Sequence, residues 1–135
     1  MSQRSLFLVT LVVDDYQRAK EFYCDIMGFE CLNDEPLADG KRWVVVRPAG
    51  SAGASLLLAQ ADGETQIAAI GRQTGGRVGF FLATDDFERD HAAMSQAGVR
   101  FLEEPRREPY GTVAVFSDPY GNTWDLIEHA ALPAS

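Results

Sequence analysis

The chain has 135 residues, 46% of them hydrophobic and 24% charged, the balance of an ordinary globular domain long enough to bury a core. Twelve basic against twenty acidic residues give a net charge of −8, which argues against nucleic acid and anionic membranes as partners, since both require a basic footprint. No apolar run approaches the roughly 20 residues of a bilayer span, and Met1-Ser2-Gln3-Arg4 leads into strand-like sequence without a signal-peptide cleavage site, so a cytoplasmic location is expected. An anionic small molecule held by one or two arginines stays compatible with this charge. Two cysteines, Cys24 and Cys31, are too few for a disulfide framework and are expected to be reduced.

In chain order, residues 5–13 are almost all apolar or β-branched, the pattern of a strand covered on both faces. A helix follows through Gln17–Tyr23 and stops at Gly28, with Ala19, Phe22, Tyr23, Ile26 and Met27 on one stripe. Phe29–Leu32 reads as a short strand, the stretch from Asn33 to Gly40 as a turn, and residues 41–47 and 54–60 as two more strands. Residues 61–76 form a connector, with a short helix over Glu64–Ile70 and a Gly75-Gly76 entry to the next strand. Beyond it come a strand near Arg77–Ala83, a helix at 86–97, and strands at Val99–Leu102, Thr112–Phe116 and Thr123–Glu128. The charged run Glu103-Glu104-Pro105-Arg106-Arg107-Glu108-Pro109 reads as a connecting loop or flap, and Ala130–Ser135 as a loose tail.

The two halves repeat one another. Leu11-Val12-Val13-Asp14-Asp15-Tyr16 returns as Leu82-Ala83-Thr84-Asp85-Asp86-Phe87, each copy a strand end, two aspartates, an aromatic and a helix closed by Gly28 or Gly98. Asp14 with Gln17 and Asp85 with Glu88 have the spacing of a capping box, which accounts for the aspartates without a carboxylate metal site. The expectation is one α+β domain over 1–135. It comprises a βαβββ module at 5–60, a connector at 61–76, a second βαβββ module at 77–129 and a tail at 130–135. Neither module covers a curved sheet alone, so the two are expected to form one eight-stranded, incompletely closed barrel-like sheet with helices outside and a ligand cleft inside.

Two stretches resemble the vicinal oxygen chelate superfamily, the group of glyoxalase I, bleomycin-resistance protein and extradiol dioxygenase. They are Val12–Tyr23 with Gly28-Phe29, and Phe116-Ser117-Asp118-Pro119-Tyr120-Gly121-Asn122-Thr123-Trp124-Asp125-Leu126. Further stretches, Gly75–Val78, Thr84–Phe87 and Glu108–Phe116, look like a bacterial glyoxalase-like subgroup. The resemblance covers almost the whole chain and implies the fold; it leaves the activity open, because lyases, dioxygenases and non-catalytic binding proteins share it.

The resemblance also implies a divalent metal held at four strand positions. These fall on Leu8, on Gly79 (Val78 if the register slips), on or near Leu57, and on Asp125, and only the last can ligate. His91, within a helix, and His129, past the last strand, do not repair the set. No metal and no other cofactor are therefore predicted, although displaced ligands would permit a divalent ion. Alternation places Leu8, Thr10 and Val12 on one strand face and Gly79, Phe81 and Ala83 on its counterpart, with Gly79 leaving space. Asp125 on an apolar face has a raised pKa and can act as a general base; alternatively it pairs with Arg77 or Arg42. Trp43 and Tyr110 can stack on a planar ligand or pack in the core, while Trp124 points to the opposite face beneath a helix.

The resulting expectation is a cytoplasmic homodimer that binds a small organic molecule without the family metal. Its ligand residues are Leu8, Trp43, Arg77, Gly79 and Tyr110, and Asp125 is the candidate catalytic group. Two readings stand beside it. One is a metal-dependent lyase of the lactoylglutathione-lyase type, or a dioxygenase, with displaced ligands; the other is a metal-free isomerase or lyase with Asp125 as base.

Overall fold

A computed structural model describes residues 3–130. The chain divides into two compact units, Met1–Gly71 and Arg72–Ser135. Of the stretch read as a tail, residues 131–135 lie outside the described part, while Ala130 donates its N–H to Tyr110 O at 2.8 Å.

In the first unit, β1 (Leu8–Val13) leads into α1 (Tyr16–Lys20), which continues as a π-helix over Glu21–Ile26. Then come β2 (Phe29–Pro36), β3 (Arg42–Pro48), β4 (Ser55–Gln60) and the short α2 (Glu64–Ala69). The sheet order is β1-β4-β3-β2, with β1 parallel to β4 and the other pairs antiparallel. The wide π-helical turn allows the adjacent Phe22 and Tyr23 both to be buried, their rings edge to face at 4.9 Å. With Leu11, Val13, Val44, Val46 and Leu58, all buried, they form the core between helix and sheet.

The second unit repeats the plan. It comprises β5 (Phe80–Ala83), α3 (Phe87–Gln96), β6 (Arg100–Phe101), β7 (Arg106–Glu108), β8 (Gly111–Ser117) and β9 (Thr123–His129). The order is β5-β9-β8-β6, and β7 also pairs with β8. Beneath α3 runs a chain of rings: Phe87 on His91 at 5.3 Å, His91 on Phe101 at 4.2 Å, Phe101 on Phe116 at 5.6 Å and Phe116 on Trp124 at 5.8 Å. His91 thus belongs to the helix–sheet seam, and Trp124 packs on the helix side. The fold is α+β, built from two βαβββ units with mixed sheets.

Three local features depart from the sequence reading. The helices are capped one residue later than the box spacing suggests. Asp15 accepts from Arg18 N at 2.9 Å and Asp86 from Arg89 N at 3.1 Å, while Asp14 and Asp85 pair with the guanidinium groups of those arginines at 2.7 and 2.8 Å. Strand β2 extends through Asn33–Pro36, because on an edge strand a bulge between Cys31 and Asn33 and a terminal proline are tolerated. There Asp34 bonds Arg42 at 2.6 Å and Lys20 at 2.9 Å instead of making a turn.

Finally, the charged run after β6 is a strand as well as a loop. β6 and β7 both pair with β8, as two halves of one edge strand interrupted at Glu103–Pro105. Pro105 has no N–H to give a ladder, and Glu103 Oε2 accepts from Val115 N at 3.0 Å in place of a backbone carbonyl. Counted this way the described residues hold eight strand lanes.

Candidate functional site

The helix-free face of the second sheet carries Asp125, the candidate site residue, beside an exposed aromatic ring. Register aligns Phe81 of β5, Asp125 of β9 and Val115 of β8 in one row, with Ala83, Ile127 and Val113 in the next but one. Phe81 is 67% exposed although it sits in a strand. Beside it, Asp125 Oδ1 is buried and has no hydrogen-bond partner among the described residues. Burial pushes the Asp125 carboxyl above its ordinary range; Arg106 pulls it down and Glu103 pushes it up. The sequence-based expectation of a raised carboxyl on an apolar face thus has a structural cause. Arg77, in the same unit, does not supply the alternative partner. Arg42 is engaged with Asp34 in the first unit, and the bonds of Arg77 run through its backbone to Thr74 and Thr123.

Arg106 and Glu103, the charged neighbours of Asp125, lie in the run 103–109, whose composition is that of a solvated loop and gives no hint of a site. Arg106 Nε lies 3.0 Å from Glu103 Oε1 and its Nη1 2.9 Å from Glu108 Oε1, so this guanidinium is already shared between two carboxylates. A signal was present: Glu108-Pro109-Tyr110-Gly111 places proline at the second position of a tight turn, the mark of a hairpin whose first arm is Arg106–Glu108. Tyr110, at that turn, is 52% exposed. Gly79 leaves less room than its size suggests, because a Cβ there would lie 2.7 Å from Thr74 Cγ2.

The first unit places Leu8 and Trp43 on its own helix-free face. Trp43 is 37% exposed and pairs across the ladder with Glu35. Thr10 stands opposite Leu57 in the β1–β4 ladder as Phe81 stands opposite Asp125 in the β5–β9 ladder, so Leu57 and Asp125 are equivalent positions. The six residues singled out from sequence are therefore divided between the units: Leu8 and Trp43 in the first, Arg77, Gly79, Tyr110 and Asp125 in the second. Cys24 is a poor nucleophile candidate, since burial pushes its thiol up.

The paired βαβββ units with these sheet orders match what the sequence resemblance implies, and direct comparison decides it. Residues 5–126 match the Glyoxalase/Bleomycin resistance protein/Dioxygenase superfamily. The chain belongs to this superfamily. A protein from Shewanella frigidimarina is 49% identical over 127 residues, 93% of this chain and 94% of that one. Among solved structures, UcmS2 is 32% identical with a TM-score of 0.80, covering 94% of this chain and 98% of its own. TnmS3, an antibiotic binding protein from Streptomyces sp. CB03234, is 34% identical with a TM-score of 0.77, covering 96% and 99%.

Membership brings the family metal into question, and the donor set does not fit it. Leu8 and Leu57 carry no donor atom, Gly79 has no side chain, and Asp125 alone can ligate. His91 is committed to the ring stack and His129 is exposed at the end of β9. Among the described residues no group of three or more His, Cys, Asp or Glu side chains is placed to hold a metal ion. The described helices include none long and apolar enough to cross a membrane.

The family stretch Asp118–Asn122 proves structural. Asp118 is buried and accepts from Tyr120 N and Asn122 N, each at 2.9 Å, and from Asn122 Nδ2 at 2.7 Å. It ties the β8–β9 connection and so fixes the register that puts Asp125 opposite Val115.

Proposed function

We propose that this protein binds a small, partly apolar organic molecule on the helix-free strand faces, without the family metal, and acts as a cytoplasmic homodimer. The observation that carries the reading is the pair on the second sheet: an exposed phenyl ring, Phe81, beside a carboxylate with one buried, unpartnered oxygen, Asp125. Such a pair offers an apolar platform and one polar anchor, the usual composition of a small-molecule site. Trp43 gives the first unit an aromatic surface of the same kind. The similarity to TnmS3, an antibiotic binding protein, supports an antibiotic-like ligand.

The test is a titration of the purified protein with a panel of aromatic antibiotics, read by tryptophan fluorescence and calorimetry. Saturable binding is expected, weakened about tenfold or more by Phe81→Ala, the usual cost of removing an aromatic anchor. Metal content after exposure to nickel, zinc, manganese and iron(II) should stay below stoichiometric, and light scattering should give twice the mass of the chain. No saturable ligand, or stoichiometric retention of a metal, would overturn the reading.

The buried Oδ1 and raised pKa of Asp125 favour a second reading, a metal-free isomerase or lyase. There Asp125 takes a proton from a carbon next to a carbonyl and an isomerase returns it at another position. Unchanged turnover in Asp125→Asn, on any substrate found, would remove it.

A further inference from the structure

We propose a second binding site, on the helix-covered face of the second sheet, for a small zwitterion carrying both a carboxylate and an ammonium group, such as an aromatic α-amino acid. A cleft of about 410 Å³ lies there between α3 and strands β7, β8 and β9, within the size range of small-molecule sites. Its floor is a single cross-strand row. Register sets Arg107 opposite Thr112 and Thr112 opposite Glu128. A cation, a hydroxyl and a carboxylate therefore stand in line, the outer two backbones about 10 Å apart, a span that two long side chains can close over a small molecule. The edges of Phe87 and His91, stacked at 5.3 Å, and Pro105 add an apolar part to an otherwise polar lining.

The commitments of these groups point to a zwitterion over a simple ion. Glu128 Oε1 accepts from Phe87 N at 2.7 Å, which holds the carboxylate in place and leaves Oε2 as acceptor for an ammonium. Arg107 Nη2 is 3.9 Å from Glu88 Oε1, beyond hydrogen-bond reach, and the two side chains are 80% and 87% exposed. Its guanidinium donors are thus available to a ligand carboxylate, for which Arg is the best-matched side chain. A lone anion would meet Glu88, Glu128 and Asp86 as well as Arg107, and a lone cation would meet Arg107. A molecule with both charges satisfies the row end to end.

The experiment is an amide chemical-shift titration of the full chain with L-phenylalanine, phenylacetate and phenethylamine. L-Phenylalanine is expected to shift the amides of Phe87, Thr112 and Glu128 saturably at millimolar concentration, about tenfold or more tighter than either half-molecule. Arg107→Ala, at an exposed position, should lose about tenfold, as should Glu128→Gln, which keeps an acceptor for Phe87 N. Glu88→Gln should tighten binding by removing the competing carboxylate. Three results would overturn the proposal: no saturable shift, equal binding of phenethylamine, or shifts centred on Phe81 and Asp125 that Arg107→Ala leaves unchanged.

Discussion

Replacing Asp125 by leucine should make the protein more stable and less able to bind. The first unit already carries leucine at the equivalent position, Leu57, so the ladder tolerates that side chain. A buried polar atom without a partner costs about 1–3 kcal/mol, and Asp125 Oδ1 is such an atom. Against this, the substitution forfeits attraction to Arg106, which is weak because that guanidinium is solvent-screened and already shared with Glu103 and Glu108. The half-buried leucine adds about 1 kcal/mol of apolar burial, so the net gain at pH 7 is about 1–2 kcal/mol.

The gain must depend on pH. Because the folded-state pKa of Asp125 is raised, its favourable contribution is present below the unfolded carboxylate pKa and is lost as pH rises through the folded value. The difference between Asp125→Leu and the parent should therefore widen from pH 3.5 to pH 7. Urea unfolding at both values, followed by the fluorescence of Trp124 in a Trp43→Phe background, measures it. A variant less stable than the parent at pH 7, or a difference that does not change with pH, would refute the account of an unpartnered carboxylate.

Three other substitutions test how the site is held. Gly111 has φ +150°, and a Cβ there would sit 2.1 Å from Glu128 O, so Gly111→Ala should cost about 3 kcal/mol in urea unfolding through strain and overpacking. Asp118→Ala strands three donors in a buried turn and should likewise cost about 3 kcal/mol, with the shifts of the β8–β9 amides reporting the lost register. Arg42, and after it Lys20, hold Asp34 down to about 2 from 3.8. A depressed carboxylate stabilises above its unfolded pKa and loses that as pH falls toward 2. The full shift corresponds to about 2.4 kcal/mol, which solvent reduces to about 1 kcal/mol at this partly exposed pair. Asp34→Asn should lose that amount at pH 7 and almost none near pH 2.

The repeat made the fold legible. Two copies of a strand end, a capped helix and a closing glycine announce two like units, and their apolar periodicities place the other strands. Gly28 and Gly98, at φ +78° and +98°, end their helices in the conformation that glycine adopts without penalty. What escaped was decided by pairing rather than by local composition. Arg106–Glu108 has the composition of a solvated loop, and only the hydrogen-bonding edge of β8 makes it a strand. Asn33 and Asp34 are turn formers by local preference, yet pairing with β3 and the bonds of Lys20 and Arg42 to Asp34 keep them in β2. The candidate site was legible to the same degree: Asp125 and the face it shares with Phe81 follow from alternation, whereas the arginine beside it does not.

The residues that identify the family and the residues that would distinguish this member are different sets. Asp15, Asp86, Asp118 and Asn122 cap helices or tie a turn. They set where the helices start and how β8 turns into β9, and would do so under any ligand. The two copies diverge on equivalent positions, Leu57 against Asp125, Thr10 against Phe81 and Leu8 against Gly79, and the proposed binding draws on that divergence. The first copy fills these positions with leucine, threonine and leucine; the second replaces them with a carboxylate, an exposed ring and a glycine. A duplicated scaffold needs only one of its copies to hold a site, so the other is free to be optimised for packing. On that logic the second unit, with its unpartnered buried oxygen, is where a ligand's polar group should be sought first, and substitutions at Leu8 and Leu57 should alter stability more than binding.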